Sequence, residues 1–348
     1  MKQNFDKDYV LNTVERILNV ESPTGYTKDV VEVLKKYIDE LGYSHSRDQK
    51  GNLMVTIEGH DESYVRGVSA HVDTLGLMVR SISSEGHLNF TVLGGPILNT
   101  YDGEYCTVIT RDQKRYRGTV LSKSPSSHVY EDATSRKRDA NNMYIRLDEN
   151  IKNREDVITL GINHGDIIAI DPKVEINPSG FIKSRFLDDK ISVALVLGVL
   201  KYFKDNTLKP KYTTKVLFST YEEVGHGMAH LPSDVKELLS IDMGSMGLDL
   251  ACTEYDVSIC AKDSSGPYDY DMVSTLIKIA QTNNLNHAVD IYPMYGSDTS
   301  AALRGGNDIK GALIGPGVHA SHGMERTHID GVLSTMSLLS DYLLEEEL

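Results

Sequence analysis

Val65-Arg66-Gly67-Val68-Ser69-Ala70-His71-Val72-Asp73 is the stretch on which the fold turns. Residues 65–70 read as a strand, and that strand runs straight into a histidine and an aspartate two positions apart. In open α/β sheets, sites form outside the carboxyl ends of strands. A strand that ends on two chemically capable side chains therefore marks both a sheet and one edge of a site.

Upstream, Val10, Leu11, Val14, Ile17 and Leu18 recur at helical spacing. Turn chemistry at Glu21-Ser22-Pro23-Thr24-Gly25 breaks the pattern. A second helix starts near Lys28, with Val30, Val31, Leu34, Tyr37, Ile38 and Leu41 on its apolar face and Gly42 as its terminator. Residues 53–57 form another strand. Downstream, from about Gly76 to Ile182, short β-like runs at 77–82, 88–93, 105–110, 117–121 and 167–170 are separated by glycine and polar turns. No strong amphipathic helix stands out there, and 122–140 reads as a long polar loop. This texture predicts a small β-barrel or sandwich. Helical texture returns at Leu187, and 191–203 is apolar nearly all round, which marks a buried helix. Strands at 216–220, 238–241 and 309–314 then alternate with helices at 271–282 and 329–344. The alternation implies α/β layers. We expect a three-layer α/β/α domain with a mixed sheet, built from residues 1–75 and 183–348, with a small β-barrel-like domain inserted at 76–182.

The bulk properties narrow the class. The chain has 348 residues, 40% of them hydrophobic and 25% charged, enough apolar material for a sizeable core. A formal charge of −14 argues against a nucleic-acid surface, which carries a basic stripe. Cys106, Cys252 and Cys260 are widely spaced and show no disulfide framework. The first eight residues hold no apolar signal core, and no run of about 18 apolar residues offers a membrane span. The expectation is a soluble, cytoplasmic protein.

Metal-binding residue types fall at strand ends. His71 and Asp73 end one strand, Glu222 and Glu223 another, and Asp242 a third. Asp188-Asp189 opens the buried helix, and His319, His322 and His328 precede the last one. Each has an ordinary reading in isolation: His-x-Asp as a surface turn, Asp188 as a helix cap, Asp242 as a turn residue, the glutamates as a solvated pair. Yet adjacent carboxylates after an apolar strand are unfavourable to bury without a cation. In extended chain the two glutamates point to opposite sides, so Glu223 can be a ligand and Glu222 a base. Together His71, Asp188, Glu223, Asp242 and His322 form an N/O-rich set suited to Zn²⁺, Co²⁺ or Mn²⁺. A bridging carboxylate would suit a pair of such ions around one water. Asp298, like Ser297, would serve as the N-cap of a helix running through Ala301 and Leu303.

Five segments now form a recognisable set: Ala70-His71-Val72-Asp73, Phe186-Leu187-Asp188-Asp189-Lys190, Tyr221-Glu222-Glu223-Val224-Gly225, Ile241-Asp242-Met243-Gly244 and Gly296-Ser297-Asp298-Thr299-Ser300-Ala301. In order and spacing the chain resembles the M42 family of metallo-aminopeptidases, which includes glutamyl and tetrahedral aminopeptidases. The resemblance implies two divalent ions bridged by Asp188, one completed by His71 and Asp242 and the other by Glu223 and His322. It implies Glu222 as general base, Asp73 as the residue orienting His71, and the Asp298 segment beside the substrate. His322 is preferred to His319 for its place relative to the final helix. Thr74 stands where the family usually has Glu, and the closing histidine region departs from the family's His-Ser-Pro.

The resemblance further implies aminopeptidase action on short peptides, while the acidic charge and the lack of a long apolar run leave no nucleic-acid or membrane partner expected. It implies self-association through the inserted domain, with a dodecamer as the family's common size. The competing enzyme reading is a metal-dependent deacylase of N-acylated substrates. A silent peptide binder has no use for Glu222, and a glycosidase needs a carboxyl pair without metal.

Overall fold

The structure, a computed structural model, describes residues 3–345. It divides into two compact units: one made of the chain up to Asp73 and from Lys173 onward, the other of Thr74–Pro172.

The first unit opens with α1 (Lys7–Leu18) and α2 (Lys28–Leu41). Asp6 caps α1 by accepting the Tyr9 N–H at 2.9 Å, and the stripe Val10, Val14, Ile17 and Leu18 is buried. Gly42 closes α2 at φ 71°, a conformation that favours glycine. Strands β1 (His45–Arg47), β2 (Leu53–Ile57) and β3 (Asp61–His71) follow.

The second unit contains β4 (Gly76–Ile82), β5 (Leu88–Leu93), β6 (Tyr105–Ile109), β7 (Arg115–Ser122), β8 (Met143–Leu147), α3 (Arg154–Leu160) and β9 (Ile167–Ile170). The strands run in the order β4-β5-β8-β7-β6-β9, and β9 pairs back onto β4 to close a barrel. Closure leaves no open sheet edge. Sequence reading missed β8 and α3. The helix is two turns long, capped by Asn153 and ended by Gly161 at φ 90°, too short to display a periodic stripe. Residues 122–140 form turns fastened by Ser124 and Arg136 to Asp132 and by Arg138 to Asp102.

The returning chain supplies β10 (Glu175–Ile176), β11 (Phe181–Ser184), α4 (Leu187–Asp205), β12 (Tyr212–Ser219), β13 (Val235–Ile241), β14 (Val257–Asp263), β15 (Gly266–Pro267), α5 (Tyr270–Thr282), β16 (His287–Ile291), α6 (Asp298–Arg304), β17 (Lys310–Pro316), β18 (Glu325–His328) and α7 (Ile329–Leu344). The main sheet is ordered β1-β2-β12-β3-β13-β17-β14-β15, with β16 also on β14. It is mixed: β3 lies parallel to β12 and β13, while β2 and β14 run antiparallel to β12 and β17. A small sheet β10-β11-β18 ties residues 175–184 to the α/β unit.

Side chains alternate across a strand, so β3 and β13 show which helix covers which face. Ser240 meets Thr299 of α6 at 2.7 Å on one face. Arg66 and Glu237, of opposite parity, meet α7 on the other. Val65, Leu217, Leu238 and Ala302 pack with Met228 and Leu231 on the α6 face. Among the described residues no helix is long and apolar enough to cross a membrane.

Candidate metal centre

Because β12, β3 and β13 are parallel neighbours, their carboxyl ends share one rim. β3 delivers His71. The turn after β12 delivers Glu222 and Glu223, and Asp242 follows β13 directly. Asp188 and Asp189 sit at the start of α4 with non-helical dihedrals, so the regular helix begins beyond them. The peptide between them is cis. Asp188 offers its two oxygens to two histidines: Oδ1 lies 3.0 Å from His71 Nε2, and Oδ2 lies 3.5 Å from His322 Nε2. His322 Nε2 is also 3.7 Å from Glu223 Oε2, and Glu222 Oε2 is 3.7 Å from His71 Nε2. Ligand atoms of His71, Asp188 and Glu223 lie within 4.8 Å of one another, as do those of His71, Asp189 and Asp242. His319 instead pairs its main chain with Arg326. His328 caps α7 and meets the Ser179 carbonyl at 3.0 Å.

Two imidazoles thus face five carboxyls, those of Asp188, Asp189, Glu222, Glu223 and Asp242. No lysine or arginine forms an ion pair with any of the five among the described residues. Burial and neighbouring charge push Glu222, Glu223 and Asp189 well above the usual carboxylate range. Burial and the charge of Asp188 push Asp242 up to about 7. Burial acts on Asp188 in the same sense, but hydrogen bonds from His322 and His71 override it and hold its pKa below the usual range. Burial opposes protonation of His71, yet Asp188, Glu222 and Asp242 raise its pKa well above the ordinary value. Two buried oxygens, Glu223 Oε1 and Asp189 Oδ1, accept no hydrogen bond among the described residues.

The supporting groups differ in part from expectation. The ring of His71 is met at Nδ1 by the main-chain carbonyl of Asp73, at 2.9 Å, while the Asp73 carboxylate stands 3.7 Å away. That carboxylate accepts the N–H groups of Glu222 and Glu223 at 3.0 and 3.3 Å and the Thr24 hydroxyl at 2.7 Å. Asp73 therefore fixes the glutamate turn as well as the histidine. Asp298, for which a helix cap and a place beside the substrate were both open, is only 3% exposed. Its carboxylate accepts the Ser219 hydroxyl at 2.6 Å and the Met228 N–H at 3.0 Å, and it does not line the cleft. The pattern around it explains why: Ser297 takes the cap of α6, in a reciprocal box with Ser300, and leaves Asp298 turned inward.

Sequence reading noted Asp189 only as the partner of Asp188 and gave no role to Glu325. Asp189 Oδ2 accepts the His71 N–H at 3.2 Å, and Glu325 accepts the N–H groups of both Asp188 and His322. Neither acts at a strand's carboxyl end, which was the signal followed. At the cluster opens a cleft of about 230 Å³, lined by Glu222, Glu223, Asp242 and His322 together with Met294, Tyr295, Ser297 and Arg304.

Comparison with known proteins gives the family and the fold. The model of the M42 glutamyl aminopeptidase family matches residues 51–338. The chain belongs to that family. As an M42 peptidase it is a hydrolase, and it is 43% identical over 334 residues to YhfE, an inferred aminopeptidase of Bacillus subtilis, with 96% of each chain covered. A TET aminopeptidase from a marine-sediment Thaumarchaeota archaeon superposes with a TM-score of 0.87 at 18% identity, covering 97% of this chain and 98% of that one. The TET1 peptidase of Pyrococcus horikoshii gives 0.84 at 20% identity, covering 97% and 100%. At those identities the structures speak for the fold: a mixed sheet with flanking helices and a closed barrel.

M42 peptidases depend on metal, and the donor set here fits one. It is made of carboxylates and imidazoles, hard to borderline ligands. Its carboxyls outnumber its two imidazoles, and two of its buried oxygens accept no hydrogen bond, so the chain's own bases leave like charge unanswered.

Proposed function

We propose that this M42 peptidase removes N-terminal residues from short peptides at a centre of two divalent ions, zinc or cobalt. The observation that carries the reading is Asp188, whose two oxygens each face a different histidine. Asp188 would hold both ions, with His71 and Asp242 on one side and Glu223 and His322 on the other. When bound, the ions supply Lewis acidity, polarising the scissile carbonyl and easing deprotonation of the attacking water.

The chain's own residues do the rest. Glu222 lines the cleft beside the ligands, and its main-chain N–H is pinned by Asp73. It takes a proton from the attacking water onto a carboxylate oxygen and passes it to the leaving amine nitrogen. Asp73 holds the proton of His71 on Nδ1 through its carbonyl, which leaves Nε2 free as a ligand. Negative charge at the cleft floor favours a substrate with a free, positively charged α-amine.

The named TET1 neighbour can assemble into a tetrahedron or a large octahedral shell. By analogy we assign this chain to a homo-oligomer, a dodecamer being one such form, with the inserted unit serving assembly and substrate access. The reading is tested by metal analysis together with hydrolysis of leucyl- and glutamyl-anilides and their N-acetylated counterparts. Two ions per chain and turnover confined to free N-termini are expected. Preference for the acetylated substrates would point to a deacylase instead.

A further inference from the structure

Glu325 joins two of the proposed ligands through their main chains, and nothing in the reaction above uses it. It opens β18 and is 2% exposed. Its Oε2 accepts the Asp188 N–H at 3.1 Å, and its Oε1 accepts the His322 N–H at 3.0 Å. One carboxylate thus spans the start of α4 and the loop before β18, segments far apart in the chain.

The two sides of the centre rest on different supports. His71 ends a strand paired on both sides, and its ring is fixed by the Asp73 carbonyl. The Asp242 N–H bonds to the Ile314 carbonyl at 3.0 Å, which continues the ladder between β13 and β17. His322 lies outside any strand, with its side chain 36% exposed, at φ 62° in the left-handed region. A residue with a Cβ holds that conformation only where its surroundings fix it. The hydrogen bond from its N–H to Glu325 is one such restraint, and it is charge-assisted.

We propose that Glu325 is a positioning residue that sets the geometry of Asp188 and His322 together, and so tunes the affinity of the ion held by Asp188, Glu223 and His322. This rests on the two-ion reading. The geometry requires a carboxylate, because two N–H donors need two acceptor oxygens. Glutamine offers one and turns an NH₂ group towards the other donor. Aspartate keeps both oxygens but is one methylene too short to span both amides.

Chelator-stripped, full-length protein is titrated with Zn²⁺ by calorimetry, and in parallel with Co²⁺, whose visible spectrum reports ligand geometry. For Glu325→Gln that still melts cooperatively, the first equivalent should loosen only slightly, through the shared Asp188, and the second, which also loses the support of His322, should bind about 10–100-fold more weakly. Glu325→Asp should show the same split. Turnover should then recover at saturating metal with KM unchanged. Wild-type affinity for both equivalents, or equal loosening of both, overturns the proposal. If neither variant folds, amide exchange in the metal-free wild type decides it: a protected His322 amide is expected, and one exchanging at the rate of free chain overturns the role. A wild type that takes up a single ion defeats the two-ion reading itself, before any variant is compared.

Discussion

β3 and β13 carry buried charge at both ends, and the two ends are built on opposite principles. Towards their starts, Arg66 and Glu237 meet at 2.6 Å, with side chains 7% and 8% exposed. Every group there is answered: Glu237 accepts from Tyr64 and Tyr342, and Arg66 donates to the Tyr342 carbonyl and to Glu345. The Arg66 guanidinium also stacks between the rings of Tyr212 and Tyr342, 4.8 and 4.4 Å from their centroids. At the finishing ends, His71 and Asp242 join a cluster in which carboxyls outnumber bases and two oxygens accept nothing. A buried pair with its hydrogen bonds complete is a structural device. A buried crowd of one sign, on the same strands, is one whose neutralising charge comes from elsewhere.

The largest expected effect tests the crowded end. Glu222→Gln should lower kcat by about 10²–10⁴-fold, the usual worth of a positioned base, while both ions stay bound. Metal content and single-turnover rates measure the two separately. Wild-type turnover in this variant would remove Glu222 from the role. At the balanced end, Arg66→Met leaves Glu237 buried without its cation. It should destabilise the fold by about 3–5 kcal/mol in denaturant titration. Turnover per folded molecule and metal content should stay the same. If either dropped in the folded fraction, the two ends would not be independent.

The contrast also explains what the sequence made legible. His71, Glu222-Glu223 and Asp242 were visible because a strand's carboxyl end is a local pattern: an apolar run followed at once by polar groups. The long α4 was visible because it is apolar on every side. β16 was hidden because its inward Asp290 interrupts the alternation. That carboxylate accepts the N–H groups of Ala251 and Cys252 at 2.8 and 3.0 Å, a partnership nothing local announces. β14 was hidden likewise, with Ser258 and Asp263 buried along it. The roles of Glu325 and Asp189 were hidden in the same way. Their partners are main-chain amides from distant segments, and an amide leaves no mark in a residue string. The family resemblance supplied ligand roles, but not the carbonyl of Asp73 as the ring's partner.

Asp298 sharpens the comparison, since it is a buried acid at the site's rim that is nevertheless satisfied like Glu237. Its two oxygens take the hydroxyl of Ser219, where β12 ends, and the N–H of Met228, in the segment that follows Glu222 and Glu223. It therefore ties together the two segments that flank the glutamate turn. Asp298→Asn keeps the shape but provides only one acceptor for two donors. The expected loss is about 1–3 kcal/mol of stability by denaturant titration, with KM for a peptide anilide unchanged. A side chain that touched substrate would behave in the reverse way, raising KM at unaltered stability. The sign of that pair of measurements decides whether an acid at this rim serves the substrate or the scaffold beneath it.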